Sequence, residues 1–372
     1  MDPQTVFCPN SDCPARGQTG KGNIHIHSHK EHRYRCDVCE KTFATTKGTV
    51  FYRLRTETEQ VTVVLALLAY GCPVCAIVFA FGLDERTVRD WEQRAGHHSE
   101  QVHKHLVQRP RDLGQVQADE IRVKMQKAVV WLAMALQVAT RLWLGATVSA
   151  HRDETLVTCL MQKVRSSALC RPLLFCLDGF RAYLGAIHTV FREAVPTHSL
   201  GRPPLRPWDD IHIAQVVKHY AHGHVSGVIR RIVQGTEAPI NRLLQITQGG
   251  GVINTAYIER LNATFRARLA GLVRRSRSLL QQIPTLQVGV YLVGTVYNFC
   301  TNHESLRVPL YVGRTGRTHW VSRTPAMTAG ITDHRWSVLE LLSYHVPPSR
   351  WTPPKRRGRP SSATRKLIEQ WC

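Results

Sequence analysis

Between Gly114 and Ala150 three strand-like runs, "GQVQADEIRVK", "AVVWLAMALQVAT" and "RLWLGATVSA", follow one another across short polar breaks. Nothing else in the chain restricts its fold as strongly, because strands joined this closely pair as an antiparallel meander. Helical spacing follows in "DETLVTCLMQKVRSSAL", then an apolar run, "LLFCL", that stops at Asp178 and Gly179 before a further helix. Three strands, a helix, a strand and a helix predict an α/β domain on a mixed sheet. Further on, "GRPPLRPWDD" reads as a loop and "IHIAQVVKHY" as another strand.

The segments before this pattern are of other kinds. Residues 1–45 carry Cys8 and Cys13 in "CPNSDC" and Cys36 and Cys39 in "CDVCEKTF", separated by a polar, His-rich connector. Two cysteine pairs on tight turns can close a tetrahedral thiolate site around Zn²⁺, and so short a segment buries too little apolar surface to fold otherwise. The first pair has four intervening residues, so His25, His27, His29 or His32 is an alternative ligand. A second C-x-x-C, Cys72 and Cys75, has apolar neighbours and reads as buried thiol. Residues 46–110 read as helices broken at Gly71 and Gly82, a helix-turn-helix layout. Its third helix starts after Asp84 as N-cap and offers Arg86, Thr87 and Arg89 to a major groove.

Charge narrows the function. Lys and Arg number 49 against 27 Asp and Glu, a formal net charge of +22, which favours a polyanionic partner, double-stranded DNA first. A membrane is the rival, since Gln60–Leu83 holds no charged side chain, but Gly71, Cys72 and Pro73 divide it into two short buried helices. With no apolar leader at the start and an odd number of cysteines, eleven, the expected setting is a reducing cytoplasm.

The residues that carry chemistry are acids. Asp119 lies within the first strand and Asp178 ends the fourth. If those strands are neighbours, both carboxylates enter one cleft at the strands' carboxyl ends. From Asn254 to Arg277 runs "NTAYIERLNATFRARLAGLVRRSR", whose Ile258, Leu261, Phe265, Leu269 and Leu272 form an inward stripe. Glu259, Asn262 and Arg266 share one edge of that helix, and Glu259 is its only acid among six arginines. Three converging carboxylates repel one another but suit Mg²⁺ or Mn²⁺. Two such ions about 4 Å apart serve in-line displacement at a phosphate. Glu120 follows Asp119 and is expected on the opposite face, and Asp209 and Asp210 in a solvated loop.

Taken together, "QADE", "FCLDGFRAY", "NTAYIERLNATFRARLAGLVRRSRS" and "YNFCTNHESLR" resemble bacterial insertion-sequence transposases of the insertion-sequence-one type, over roughly residues 5–310. The resemblance implies an RNase H-like catalytic domain (111–310) behind a zinc-ribbon-like module and an all-α helix-turn-helix domain. It implies an Asp-Asp-Glu triad of Asp119, Asp178 and Glu259 holding Mg²⁺ or Mn²⁺. It also implies DNA contacts from Asn262, Arg266, Arg274 and Arg275, and a homo-oligomer at the inverted-repeat ends of an element and its target, in the nucleoid. The stretch between Asp178 and Glu259 is longer than in compact members, and residues 311–372 are an addition. The tail is rich in Pro, Arg and Ser and is expected to be disordered until bound. Its "KRRGRPSS" resembles an AT-hook, with Arg357 and Arg359 along a minor groove and Gly358 on its floor. The runner-up function is a DNA-binding regulator that has lost its chemistry.

Overall fold

The computed structural model describes residues 2–195, 202–222, 224–273, 280–311, 318–353 and 358–372. Arg274, Arg275 and Arg357 lie outside the described residues. The chain forms two compact units, residues 1–60 with 342–372, and residues 61–341.

In the first unit, β1 (Ile24–Ser28), β2 (Arg33–Cys36) and β3 (Thr42–Ala44) make an antiparallel sheet in that order. Its small core holds Cys8, Cys13, Ile24, Tyr34, Cys36 and Phe43 together with Trp371 from the far end of the chain. The expectation of a disordered tail therefore fails for its last residues. Ser362–Trp371 is a helix capped by Ser361, its Trp371 is buried, and the Trp371 carbonyl accepts a hydrogen bond from Gln18 Nε2 at 2.8 Å. Leu367 and Trp371, four apart on one helical face, supply apolar surface that the module lacks by itself.

The second unit opens with α1 (Thr58–Ala69), α2 (Val74–Phe81) and α3 (Glu85–Leu106). Gly82 ends α2 in the left-handed region, φ 62°, and Asp84 caps α3 by accepting from the Arg86 and Thr87 amides. Only α1 is buried as expected. From α2 only Ile77 is fully buried, and Phe79 is 91% exposed.

The meander is present as β4 (Gln115–Lys124), β5 (Val129–Gln137) and β6 (Trp143–Ser149). Next come α4 (Glu154–Ser167), β7 (Leu173–Leu177) and α5 (Ala182–Val190), then a small pair, β8 (Arg192–Ala194) and β9 (Leu205–Pro207). A long hairpin of β10 (Ile211–Ala221) and β11 (His224–Gln234) completes the sheet, in the order β11-β10-β7-β4-β5-β6. β7 runs parallel to both β4 and β10, so the sheet is mixed. This six-stranded arrangement with flanking helices is compatible with an RNase H-like fold. The sequence reading did not foresee β11, which is an exposed edge strand with little apolar alternation to mark it.

Helices α6 (Glu237–Gln248), α7 (Ala256–Arg268) and α8 (Ile283–Thr295) follow, then β12 (Val308–Tyr311), β13 (Thr318–Val321), α9 (Pro325–Thr328) and α10 (Val338–Ser343). One face of β4 and β5, including Ile121, Leu132 and Met134, packs on Ile258, Leu261 and Phe265 of α7 and on α8. The helix stops at Arg268, short of the predicted stripe, and a 3₁₀ turn delivers Leu272 to the same core. Among the described residues no helix is long and apolar enough to cross a membrane.

Candidate metal centres

The parallel register of β4 and β7 fixes the first site. Gln117 pairs with Cys176, so one further step brings Ala118 beside Leu177, and another Asp119 beside Asp178. β7 ends at Leu177, which leaves β4 with no neighbour on that side, and carboxylates from both of its faces reach the open edge. Asp119, Glu120 and Asp178 place carboxylate oxygens within 4.8 Å of one another. Glu120 is the correction here. It stands on the opposite face, beside Tyr183 of α5, yet its carboxylate curls into the group that Asp119 and Asp178 form. Alternation along a strand decides which way a side chain leaves the backbone, not where a long side chain ends at a sheet edge.

Glu259 stands outside that 4.8 Å group. Its carboxylate accepts from Lys218 Nζ of β10 and from Thr255 Oγ1 at 2.7 Å, and its charge still acts on Asp119. Asn262, one turn on, donates to Asp119 Oδ2 at 2.8 Å and so ties α7 to the acids. Arg266 lies half-buried one turn further along.

Two residues missed by the sequence reading hold this arrangement. Gln117, buried on β4, accepts from the Tyr257 and Ile258 amides at 3.1 and 3.0 Å and donates to the Asn254 carbonyl at 2.7 Å. It caps α7 from another element, because Thr255 at the N-cap makes no side-chain cap of its own. Arg152 is the second. Its guanidinium binds Glu120 Oε2 through Nε and Nη2 at 3.0 and 2.8 Å, reaches Asp178 Oδ2 at 3.1 Å, and stacks on Phe180 at 4.1 Å.

The electrostatics follow from burial and crowding. Burial, then the charges of Glu120, Asp178 and Glu259, raise the Asp119 pKa to about 7. Glu120 is raised by burial as well, against the pull of Tyr183 and Arg152, and Tyr183 is pushed far above the phenol range by burial and by Glu120. Among the described residues Asn262 Oδ1 is buried without a hydrogen bond, and Glu120 has Tyr183 and Arg152 as its partners. Crowded carboxylates beside an unpaired amide oxygen are the donor set of a hard divalent cation, so these residues could hold Mg²⁺ or Mn²⁺.

The second centre is the cysteine group. Cys8, Cys13, Cys36 and Cys39 place all four sulfurs within 4.8 Å of one another, with Cys8 and Cys39 3.6 Å apart and Cys13 and Cys36 3.8 Å apart. The long first spacing closes through consecutive turns, Cys13 N to Asn10 O and Arg16 N to Cys13 O. No histidine of the described residues joins the group, and His25 instead pairs with Asp37 at 2.6 Å. Burial drives Cys8 far above the thiol range and Cys13 up to about 12, so four thiolates this close need a cation among them. Four sulfurs in this arrangement could hold Zn²⁺. Asn23 Nδ2 lies 3.4 Å from Cys36 Sγ, a donor to the future thiolate.

The other nucleic-acid candidates are on the surface. Arg86 and Arg89 are exposed on the first turn of α3 and Thr87 is half-buried, with Arg89 paired to Glu85 at 2.8 Å. Gly358 adopts φ 96° with open space among the described residues where a Cβ would stand, and Arg359 is exposed. Cys75 is exposed and Cys72 half-buried, not the buried pair expected. Asp209 pairs with Arg206 in the open, as expected of a loop acid. No protein-family model matches the chain, and no curated protein is significantly similar to it.

Proposed function

We propose that the chain is a DNA transposase of the Asp-Asp-Glu type, which frees a 3′-hydroxyl at the inverted-repeat ends of its element and joins it to target DNA. The observation that carries this reading is the meeting of Asp119 and Asp178 at one sheet edge, with α7 tied to Asp119 through Asn262 and the charge of Glu259 on that helix acting on Asp119. Asp119, Asp178 and Glu259 hold Mg²⁺ or Mn²⁺, with Glu120 as a further acid in reach. When bound, the ions neutralise the phosphate's developing charge and activate the attacking oxygen. Gln117 and Asn262 orient the acids before the ions arrive. Arg152 and Lys218 balance charge on Glu120, Asp178 and Glu259 and must yield for those oxygens to serve as ligands. The cysteine module binds Zn²⁺, and α1 to α3 form the helix-turn-helix that presents Arg86, Thr87 and Arg89 to DNA. Arg266, with Arg274 and Arg275 further on, steadies the backbone, and the segment around Gly358 and Arg359 enters a minor groove.

The test uses duplex oligonucleotides carrying the inverted repeats that flank the gene. With Mg²⁺ the full-length protein nicks them at the repeat boundary, and Asp119→Asn, Asp178→Asn and Glu259→Gln each reduce nicking by at least ~10³-fold while end binding persists. Nicking that survives in any one variant removes that acid from the triad. The Arg152 and Lys218 ion pairs favour one rival, a DNA-binding chain whose acids serve only its fold. Under that rival, ends are bound and never cut.

A further inference from the structure

The acids use one side of α7, and the other side opens on a second site. Tyr257, Arg260, Thr264 and Arg268 recur along that side and line a cavity of about 600 Å³ together with Arg141 and His303. Three guanidinium groups converge there. Arg260 acts on both Arg141 and His303, while Arg141 and Arg268 both act on Tyr297 in the cavity wall. Burial, then Arg141 and Arg260, lowers the His303 pKa. The acid in the lining does not compensate: Glu304 is exposed and paired to Arg307 at 3.3 Å.

Two of the arginines are held in place, Arg141 over the Tyr257 ring at 4.0 Å and Arg268 over Tyr70 at 4.4 Å with a bond to Thr301 at 3.3 Å. The Arg260 guanidinium makes no hydrogen bond or ion pair among the described residues. Like charges gathered in a concave site repel unless an anion joins them, and a guanidinium fork matches phosphate. A pocket of this volume admits more than a phosphate, and the half-buried Tyr257 offers an aromatic edge.

We infer that this cavity binds one unpaired nucleotide of DNA, with its phosphate on Arg260 and Arg268 and its base beside Tyr257. The inference rests on the transposase reading, which supplies a strand over the acids. A helix is about 10 Å across, so that strand reaches the cavity within about three nucleotides at the duplex rise of ~3.4 Å.

Fluorescence anisotropy of the full-length protein, without added Mg²⁺ or Mn²⁺, tests it with a labelled 12-thymidine strand and a blunt duplex. Arg260→Gln, an exposed position whose fold is checked by circular dichroism, is expected to weaken single-strand binding about 10-fold and lower its salt slope by about one, with duplex binding changed less than about two-fold. Unchanged single-strand affinity and slope in Arg260→Gln overturn the inference, even where Mg²⁺-dependent nicking is found. An equal loss on strand and duplex also overturns it, since that marks a general phosphate contact. Selective loss of single-strand binding sustains it, even where no strand is ever cut.

Discussion

The cysteine centre and the acid centre gather similar numbers of anionic donors by opposite routes. The cysteines come from two tight turns within the first 39 residues, and few other side chains take part. The grouped acids come from β4 and the end of β7, which lie far apart in the chain and reach one another only because the sheet order makes β4 and β7 neighbours, while Glu259 of α7 stands outside the group. Among the described residues no arginine hydrogen-bonds to the thiols. The carboxylates have Arg152, Lys218 and Asn262 already engaged. A site built on local turns depends on its ion for its fold, whereas a site built on a sheet is held by packing and keeps its shape through internal counter-charges.

The largest expected effect tests that dependence. Cys36→Ser, or chelation of zinc, is expected to unfold residues 1–45 and release the C-terminal helix, because structural zinc supplies on the order of 10 kcal/mol to so small a core. Limited proteolysis that cuts within residues 358–372 only after zinc loss meets the expectation, and equal protection with and without zinc breaks the contrast. The second test removes an internal counter-charge. Arg152→Ala leaves the fully buried Glu120 carboxylate unpaired and is expected to lower the stability of the metal-free protein by about 2–3 kcal/mol, a deficit that shrinks when Mn²⁺ is added. Denaturant melts with and without Mn²⁺ measure both quantities.

These contrasts also explain what could be read in advance. The cysteine group was legible because zinc spacing is a local pattern, although that four cysteines and no histidine of the described residues gather there is a property of the fold. The meander and the strand before Asp178 were legible because alternation and length decide strands. Asp119 and Asp178 were legible because a carboxylate at the end of a buried strand needs a reason to be there. Glu120 was misjudged because alternation says nothing of where β7 stops. Gln117 and Arg152 left no local trace, since capping a helix 140 residues away (Gln117 to Tyr257) and bridging two acids are properties of the fold. The tail's docking was missed for a related reason. Proline, arginine and serine set its composition, but Leu367 and Trp371 decide its fate.

Smaller effects sharpen the account of the acid centre. The Asp119 pKa of about 7 lies above its ordinary value of 3.8, so the folded protein holds a proton there that the unfolded chain loses earlier. The contribution of this group to stability is therefore full below about pH 4 and falls as pH rises towards 7. Asp119→Asn is expected to raise metal-free stability at pH 8 by roughly 1–3 kcal/mol, with the gain gone near pH 4, as thermal melts at the two pH values check. Gln117→Ala is expected to cost about 1 kcal/mol through the lost cap of α7, and amide exchange at Tyr257 and Ile258 reports where the loss falls.

The most direct test of the central claim is a Mn²⁺ titration of the zinc-loaded, full-length protein followed by electron paramagnetic resonance. The account predicts saturable binding at neutral pH that weakens at least ~100-fold in Asp119→Asn and in Asp178→Asn and is unaltered by Arg86→Ala. Absence of binding, or binding indifferent to both aspartate changes, would contradict it.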